Sequence, residues 1–286
     1  FAVQDACESA GIDPETLDFI VLGHNFGDLS AGSSRVDTLP GLANRVKTKL
    51  HIKNPSCIVH DVISGCPGWT QAMIIADAYL KSRMFKRGVV IGADILSRIS
   101  DPHDRDSMIY ADGAAATIVE AVESDEPTGI LSHSSRSDVG ATTGYLAFGP
   151  SFNPEADQNE LFIKMAGHKV YVYALSHVPP LVKHSIDIAG LHLTDIKKVL
   201  IHQANEKMDE AILKGVFKLY GETEIPEGIM PMSIRFLGNS STATVPTLLD
   251  LVLKGKMEGQ QINPGDCIVL ASVGAGMNVN SIVYKF

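Results

Sequence analysis

Cys66 stands in the run Ser64-Gly65-Cys66-Pro67-Gly68, between a stretch rich in β-branched residues (57–63) and a stretch of helical character (68–85). Pro67 suits the first turn of a helix, where its missing N–H would be unpaired anyway. The cysteine is therefore expected at a strand-to-helix corner. Unpaired amides and the helix dipole there favour the thiolate, the form that attacks carbonyl carbon. Gly65 and Gly68 permit a strained elbow and close approach of a substrate. A buried structural role suits Cys57 and Cys267 inside apolar strands and Cys7 on a helix, but it suits Cys66 poorly, just past its strand.

Three further features lie at strand ends far along the chain. His202 follows the apolar run KVLI and precedes Gln203-Ala204-Asn205 and a helix; a lone histidine in such a place is more often structural than catalytic. Asn239 lies in Gly238-Asn239-Ser240-Ser241-Thr242, a segment that would serve equally as a helix cap or turn. Val273-Gly274-Ala275-Gly276 joins two strands, either as a plain hairpin turn or as a place where backbone N–H groups meet a substrate oxygen.

The elements that would bring these residues together show an internal repeat. AGIDPETLDFIVLGHN (10–25) aligns without gaps on AGLHLTDIKKVLIHQA (189–204). Each reads as a helix end capped by Gly11 or Gly190, a polar link and an apolar strand. In the first half the pattern continues with strand 57–62, a helix over 67–84, strand 88–95 and strand 113–122. In the second come strand 198–201, a helix over 206–219, a helix near 242–254, and strands 267–272 and 279–285. Alternating strands and helices predict an α/β fold with largely parallel sheets covered on both faces. Two such halves should pack about a pseudo-twofold axis, so that loops from both meet at the centre. Residues 24–45 and 135–160 read as long loops.

Composition sets wider bounds. The chain has 286 residues, 45% hydrophobic and 20% charged, the balance of a globular protein rather than a disordered or fibrous one. A net charge of −9 disfavours nucleic acid as the main partner. Four scattered cysteines without a CxxC pair argue against a zinc site or disulfide framework and fit a reducing, cytoplasmic setting. No apolar run approaches a membrane span. The chain begins at Phe1 inside an apparent helix, so an N-terminal strand is expected to be missing.

GCPGW, DPHDR with YADGAAA, IHQAN, GNSSTATVP and VGAGM occur in the order found in β-ketoacyl-acyl-carrier-protein synthase III. The chain resembles that family of thiolase-fold condensing enzymes from Phe1 to Phe286. The resemblance implies two similar halves (1–128 and 129–286), layered α-β-α-β-α, in a homodimer. It implies a Cys66-His202-Asn239 triad, with the oxyanion held by the backbone N–H groups of Cys66 and Ala275. Arg105 and Asn205 would contact coenzyme A, Lys207 and Lys214 would dock an acidic carrier protein, and Val273, Met277 and Tyr110 would surround the acyl group. Lys218 extends the same basic helix face. The implied reaction is decarboxylative condensation of an acyl-coenzyme A with malonyl-acyl-carrier protein, of the kind that initiates fatty-acid synthesis. The thioester is a substrate, and no cofactor or metal is expected.

The departures concern the substrate. The family's usual Cys-Ala-Gly is Cys66-Pro67-Gly68 here, and Val273 replaces a phenylalanine before the glycine turn. The smaller side chain should open space, which keeps an enzyme of specialised metabolism with a less usual acyl chain as the alternative. A thiolase would need a second cysteine in the C-terminal glycine turn, and a long-chain elongating synthase a histidine where Asn239 stands. Hydroxymethylglutaryl-coenzyme A synthase would need a glutamate in GHNFGDLSAG, and a plant-type polyketide synthase a longer C-terminal motif than VGAGM. A non-catalytic binding homologue is disfavoured by the intact Cys66, His202 and Asn239.

Overall fold

Gly11 and Gly190 both adopt left-handed backbone, at φ 65° and 69°, as a helix ending in Ala-Gly requires. Each is followed by a one-turn 3-10 helix, Pro14–Thr16 or Leu193–Asp195. Asp13 caps the first of these turns and His192 the second, each side chain accepting a backbone N–H two residues on. The repeat therefore extends beyond the two shared identities to the hydrogen bonding of the link.

The computed structural model describes residues 1–30, 33 and 35–286; Ala31, Gly32 and Ser34, in the segment read as a 24–45 loop, lie outside the described residues. Helix α1 (Ala2–Ala10) leads to β1 (Phe19–His24), the short ribbon β2 (Asp28–Leu29) and β3 (Val36–Asp37), α2 (Leu42–Lys49) and β4 (Ile58–Ile63). Then follow α3 (Gly68–Lys81), β5 (Arg87–Ile95), β6 (Asp112–Glu120) and β7 (Gly129–Ser137). A hairpin of β8 (Leu146–Pro150) and β9 (Leu161–Met165) precedes α4 (Gly167–Ile188) and β10 (Ile196–Ile201). The chain closes with α5 (Glu206–Leu219), α6 (Ile234–Leu237), α7 (Thr244–Leu253), β11 (Cys267–Gly274) and β12 (Asn278–Lys285).

The expected elements are present within a few residues, with two corrections. The stretch 135–160 is not a plain loop: it holds the end of β7, a 3-10 turn over Gly140–Tyr145 and strand β8. Its glycines and prolines punctuate pieces too short to show a period. Helix α4 was marked in the sequence only by its end, because Pro179 and Pro180 interrupt its interior and prolines normally read as a helix stop.

The sheets are mixed rather than largely parallel. One has the order β4-β1-β5-β6, with β1 parallel to β4 and β5 and with β6 antiparallel. The other has the order β10-β11-β12-β7, and only β10 and β11 are parallel. The cause is the connections. The turn between β11 and β12 is far too short for a crossover, and the excursion after β5 returns to the same end, pairing Ile95 with Asp112.

Helices α3 and α7 lie between the two sheets, α1 and α2 cover the outside of the first, and α4 and α5 the outside of the second. This gives five layers, α-β-α-β-α. The central layer buries Trp69, Met73, Leu248 and Leu249 against Phe19, Val90, Leu200 and Ile268 from both sheets. Strand β1 is buried along its whole length, which explains its unbroken apolar run. Among the described residues no helix is long and apolar enough to cross a membrane.

Close approach between the halves depends on glycine. A Cβ on Gly92 would fall 2.4 Å from the carbonyl oxygen of Thr242, and one on Gly113 would fall 2.6 Å from Ser240 Cβ. A Cβ on Gly23 would meet the Gly68 carbonyl carbon at 2.3 Å. Glycines on β1, β5 and β6 thus let the GNSST loop of the second half reach the start of α3 in the first. Gly92→Ala is expected to cost about 1–3 kcal/mol through overpacking. A urea unfolding midpoint equal to that of the parent chain would show instead that the loop yields freely.

Candidate active site

A cavity of about 640 Å³ opens where the two halves meet, and Cys66, His202, Asn239 and Ala275 all line it. Residues separated by up to 209 positions in the chain share one space because each ends a strand or begins a helix at the central layer.

Cys66 occupies the corner between β4 and α3. Gly65, at φ 64°, makes the turn, and its carbonyl accepts the Gly68 N–H at 2.9 Å. The C-terminal glycine turn presses against this corner. A Cβ on Gly274 would lie 2.6 Å from the Cys66 nitrogen, and one on Gly65 2.7 Å from the Ala275 nitrogen. Only glycines at both places let two backbone N–H groups approach the sulfur together.

Cys66 is part-exposed, unlike the three other cysteines, and it borders the cavity while protein packs densely around it on its other sides. Burial pushes its thiol up to about 11, Asp94 pushes the same way, and the polar groups of Ser241 and the Cys66 backbone only partly offset them. The thiolate expected at a helix terminus is therefore not the resting form. Desolvation outweighs the dipole here.

His202 ends β10, and its N–H donates to Ala271 O at 2.9 Å. Its Nδ1 lies 2.7 Å from Thr244 Oγ1, while that hydroxyl spends its only hydrogen on Ser241 O at 2.9 Å. Nδ1 must then be the donor, which leaves Nε2 as an unprotonated acceptor in the neutral ring. Burial lowers the imidazole to about 4, so the ring is neutral at physiological pH. Asn239 is fixed by its backbone: its N–H donates to Ile109 O at 2.8 Å, and its carbonyl accepts the Ala111 N–H at 2.9 Å. Its Oδ1 accepts the Ser241 N–H at 2.9 Å. The Nδ2 group remains as a donor for the cavity.

The other expected site residues divide. Val273, Tyr110, Arg105 and Asn205 line the cavity. Asn205 also caps α5, with its Oδ1 accepting the Met208 N–H. Lys207 and Lys214 lie on the exposed face of α5, outside the cavity. Met277 is a correction: it is fully buried in the outer core of the second half, with Val279 and Val283, and does not line the cavity. It follows the glycine turn, where the chain has reversed direction and its side chain enters the core.

Sequence reasoning missed the outer wall. The hairpin β8–β9 and the turn Arg105–Ile109 contribute Phe148, Ile163, Met165, Met108 and Ile109. Asp101 ties these pieces together. It is fully buried and accepts Ser151 Oγ at 2.9 Å, Phe152 N at 2.8 Å and His103 N at 3.0 Å, and it pairs with Lys164. Burial pushes this carboxyl up, but Lys164 and the hydrogen bonds outweigh it and hold it well below its ordinary range. Also missed were Asn25, Asp94 and Ser241. A charged residue inside the apolar run VVIGADI was the available signal for Asp94. Among the described residues no group of His, Cys, Asp and Glu side chains is placed to hold a metal ion.

Five layers with a cysteine elbow at their centre define the class: the thiolase-fold condensing enzymes. The solved β-ketoacyl-[acyl carrier protein] synthase III of Thermus thermophilus matches with a TM-score of 0.81 at 25% identity, over 100% of this chain and 82% of that one. The priming β-ketosynthase of the R1128 polyketide biosynthetic pathway matches in fold with a TM-score of 0.80 at 24% identity, over 99% of this chain and 79% of that one. The family profile described as 3-oxoacyl-[acyl-carrier-protein] synthase III matches residues 60–139, and that of its C-terminal part residues 186–286. The β-ketoacyl-[acyl-carrier-protein] synthase III 1 of Vibrio vulnificus is 33% identical over the whole of this chain and 82% of that relative. The chain belongs to the β-ketoacyl-acyl-carrier-protein synthase III family, and it is an acyltransferase of the condensing type.

Alkylation by iodoacetamide follows the thiolate. With the thiol at about 11, the Cys66 rate should climb about tenfold per pH unit from about pH 7 to about pH 10. Peptide mapping would report it, and a plateau below pH 8 would mean that the helix terminus prevails over burial.

Proposed function

We propose that this chain joins an acyl-coenzyme A to malonyl-acyl-carrier protein by decarboxylative Claisen condensation through an acyl-Cys66 intermediate. The observation that carries the reading is the meeting of Cys66, His202 and Asn239 around one cavity, with the Gly274-Ala275 backbone against the cysteine. Covalent capture divides one hard step into two.

In the first step Cys66 Sγ attacks the thioester carbonyl. The oxyanion faces the backbone N–H groups of Cys66 and Ala275, whose value is greatest as charge develops. The bond to the coenzyme A sulfur breaks, and the thiol proton, accepted by His202 Nε2, ends on that departing sulfur. In the second step the malonyl carboxylate leaves as carbon dioxide and its electron pair forms an enolate. Asn239 Nδ2–H is the standing donor to the enolate oxygen. His202 joins it only while its Nε2 carries a proton from solvent. The enolate carbon attacks acyl-Cys66, and the expelled thiolate takes that proton, so the cycle closes.

Arg105 at the cavity edge is the proposed contact for the coenzyme A nucleotide, with Asn205 beside the channel. Lys207 and Lys214, exposed on α5, offer positive charge to an acidic carrier protein. A homodimer is the proposed assembly. The largely apolar walls, with Val273 rather than phenylalanine before the glycine turn, favour an acyl group longer than acetyl and keep specialised metabolism as the setting to compare.

Incubation with acyl-coenzyme A chains of increasing length, followed by intact mass measurement, is expected to give one acyl adduct, absent in Cys66→Ala. No adduct at any length would end the reading. Asn239→Ala should still acquire the acyl group but lose condensation by about 100-fold or more, the scale of a missing oxyanion donor. Val273→Phe should move the preference toward shorter chains, read as adduct yield across the same panel.

A further inference from the structure

Ser241 is a buried non-glycine residue held in left-handed backbone, at φ 53°. Such a conformation costs energy and persists only when surrounding contacts enforce it. Those contacts are explicit. Its N–H donates to Asn239 Oδ1 at 2.9 Å, its carbonyl accepts the Thr244 hydroxyl at 2.9 Å, and its Oγ accepts Asn25 Nδ2 at 2.5 Å. Asn25 is fixed in turn by Asp94, which accepts the Asn25 N–H at 2.9 Å and the same Nδ2 group at 2.7 Å.

Proton counting then assigns a direction. Both hydrogens of Asn25 Nδ2 are used, one on Asp94 and one on Ser241 Oγ. Ser241 Oγ is thereby an acceptor from Asn25, and its own hydrogen remains to be placed. Ser241 and Cys66 line the same cavity, where the sulfur stands as an acceptor for that hydrogen. We propose that Ser241 is a further catalytic residue whose hydroxyl donates to Cys66 Sγ and stabilises the thiolate, with Asn25 and Asp94 as the residues that position it.

The donor matters because burial outweighs the helix terminus and the Cys66 backbone N–H, the other groups that favour the thiolate. Asp94, from β5, brings negative charge nearby, and Tyr110 and His202 face the same space as neutral groups. A hydrogen bond that strengthens as sulfur becomes anionic lowers the cost of attack and again of expulsion after condensation. The inference rests on Cys66 being the reacting thiol, so its test should not depend on any acyl substrate.

Iodoacetamide supplies such a test. The Ser241→Ala protein should alkylate at Cys66 about tenfold more slowly than the parent at the same pH, as one lost hydrogen bond to an ion implies. Ser240→Ala, in the same loop, should keep the parent rate. Asn25→Ala should slow the reaction by a few-fold, and adding it to Ser241→Ala should slow it no further. A Ser241→Ala protein that melts like the parent and alkylates within about twofold of it overturns the proposal. If Ser241→Ala does not fold, a parent-like rate in Asn25→Ala overturns it equally. Failure of acyl-coenzyme A to label the parent chain would instead strike the condensation reading and leave these rates standing.

Discussion

Asp94 is a carboxylate buried at the end of an apolar strand, and the site is arranged around it. It accepts the backbone N–H and side-chain amide of Asn25 from the first half, and the backbone N–H and hydroxyl of Thr242 from the second at 3.2 and 2.8 Å. Burial pushes this carboxyl up, and the four donors pull it back. A buried acceptor with so many lone pairs to satisfy is costly unless every partner arrives in place. Its satisfaction therefore demands that the GNSST loop sit against β1 and β5, and the glycines of those strands leave the room.

Consequences run outward from that contact. With Thr242 fixed, Asn239 reaches the Ile109–Ala111 backbone and presents its amide, and Thr244 reaches His202 Nδ1. The tautomer of the histidine thus follows from where a loop of the second half is pinned by a residue of the first. Sequence neighbours Asn239, Ser241 and Thr244 each serve a different partner because the loop is one turn of 3-10 helix leading into α7.

The chemistry is governed by desolvation as much as by any pair of residues. Cys66 and His202 are both held neutral by burial, against the sulfur's position at a helix terminus. A neutral thiol beside a neutral imidazole stores no charge in an apolar cavity, and charge develops only when a thioester carbonyl is there to receive it. The outer wall is separately clamped by Asp101, so the apolar part of the cavity and the polar part rest on different buried carboxylates.

Much of this was legible in the residues. The Cys66 corner needs only a β-branched run, Gly65, Pro67 and an amphipathic stretch, all local signals. Gly11 and Gly190 marked the repeat because left-handed caps select glycine by sterics alone. The motif order around His202, Asn239 and Val273 identified the family and implied which residues should meet. Tertiary structure decided what depends on distant neighbours. Strand direction followed from how each connection returns. Met277 was placed in the core by the reversal after the glycine turn, and β8–β9 became a cavity wall only because Asp101 reaches it. The ionisation of Cys66 was set the same way: a local reading weighs a helix dipole, whereas burial is a property of everything packed around the sulfur.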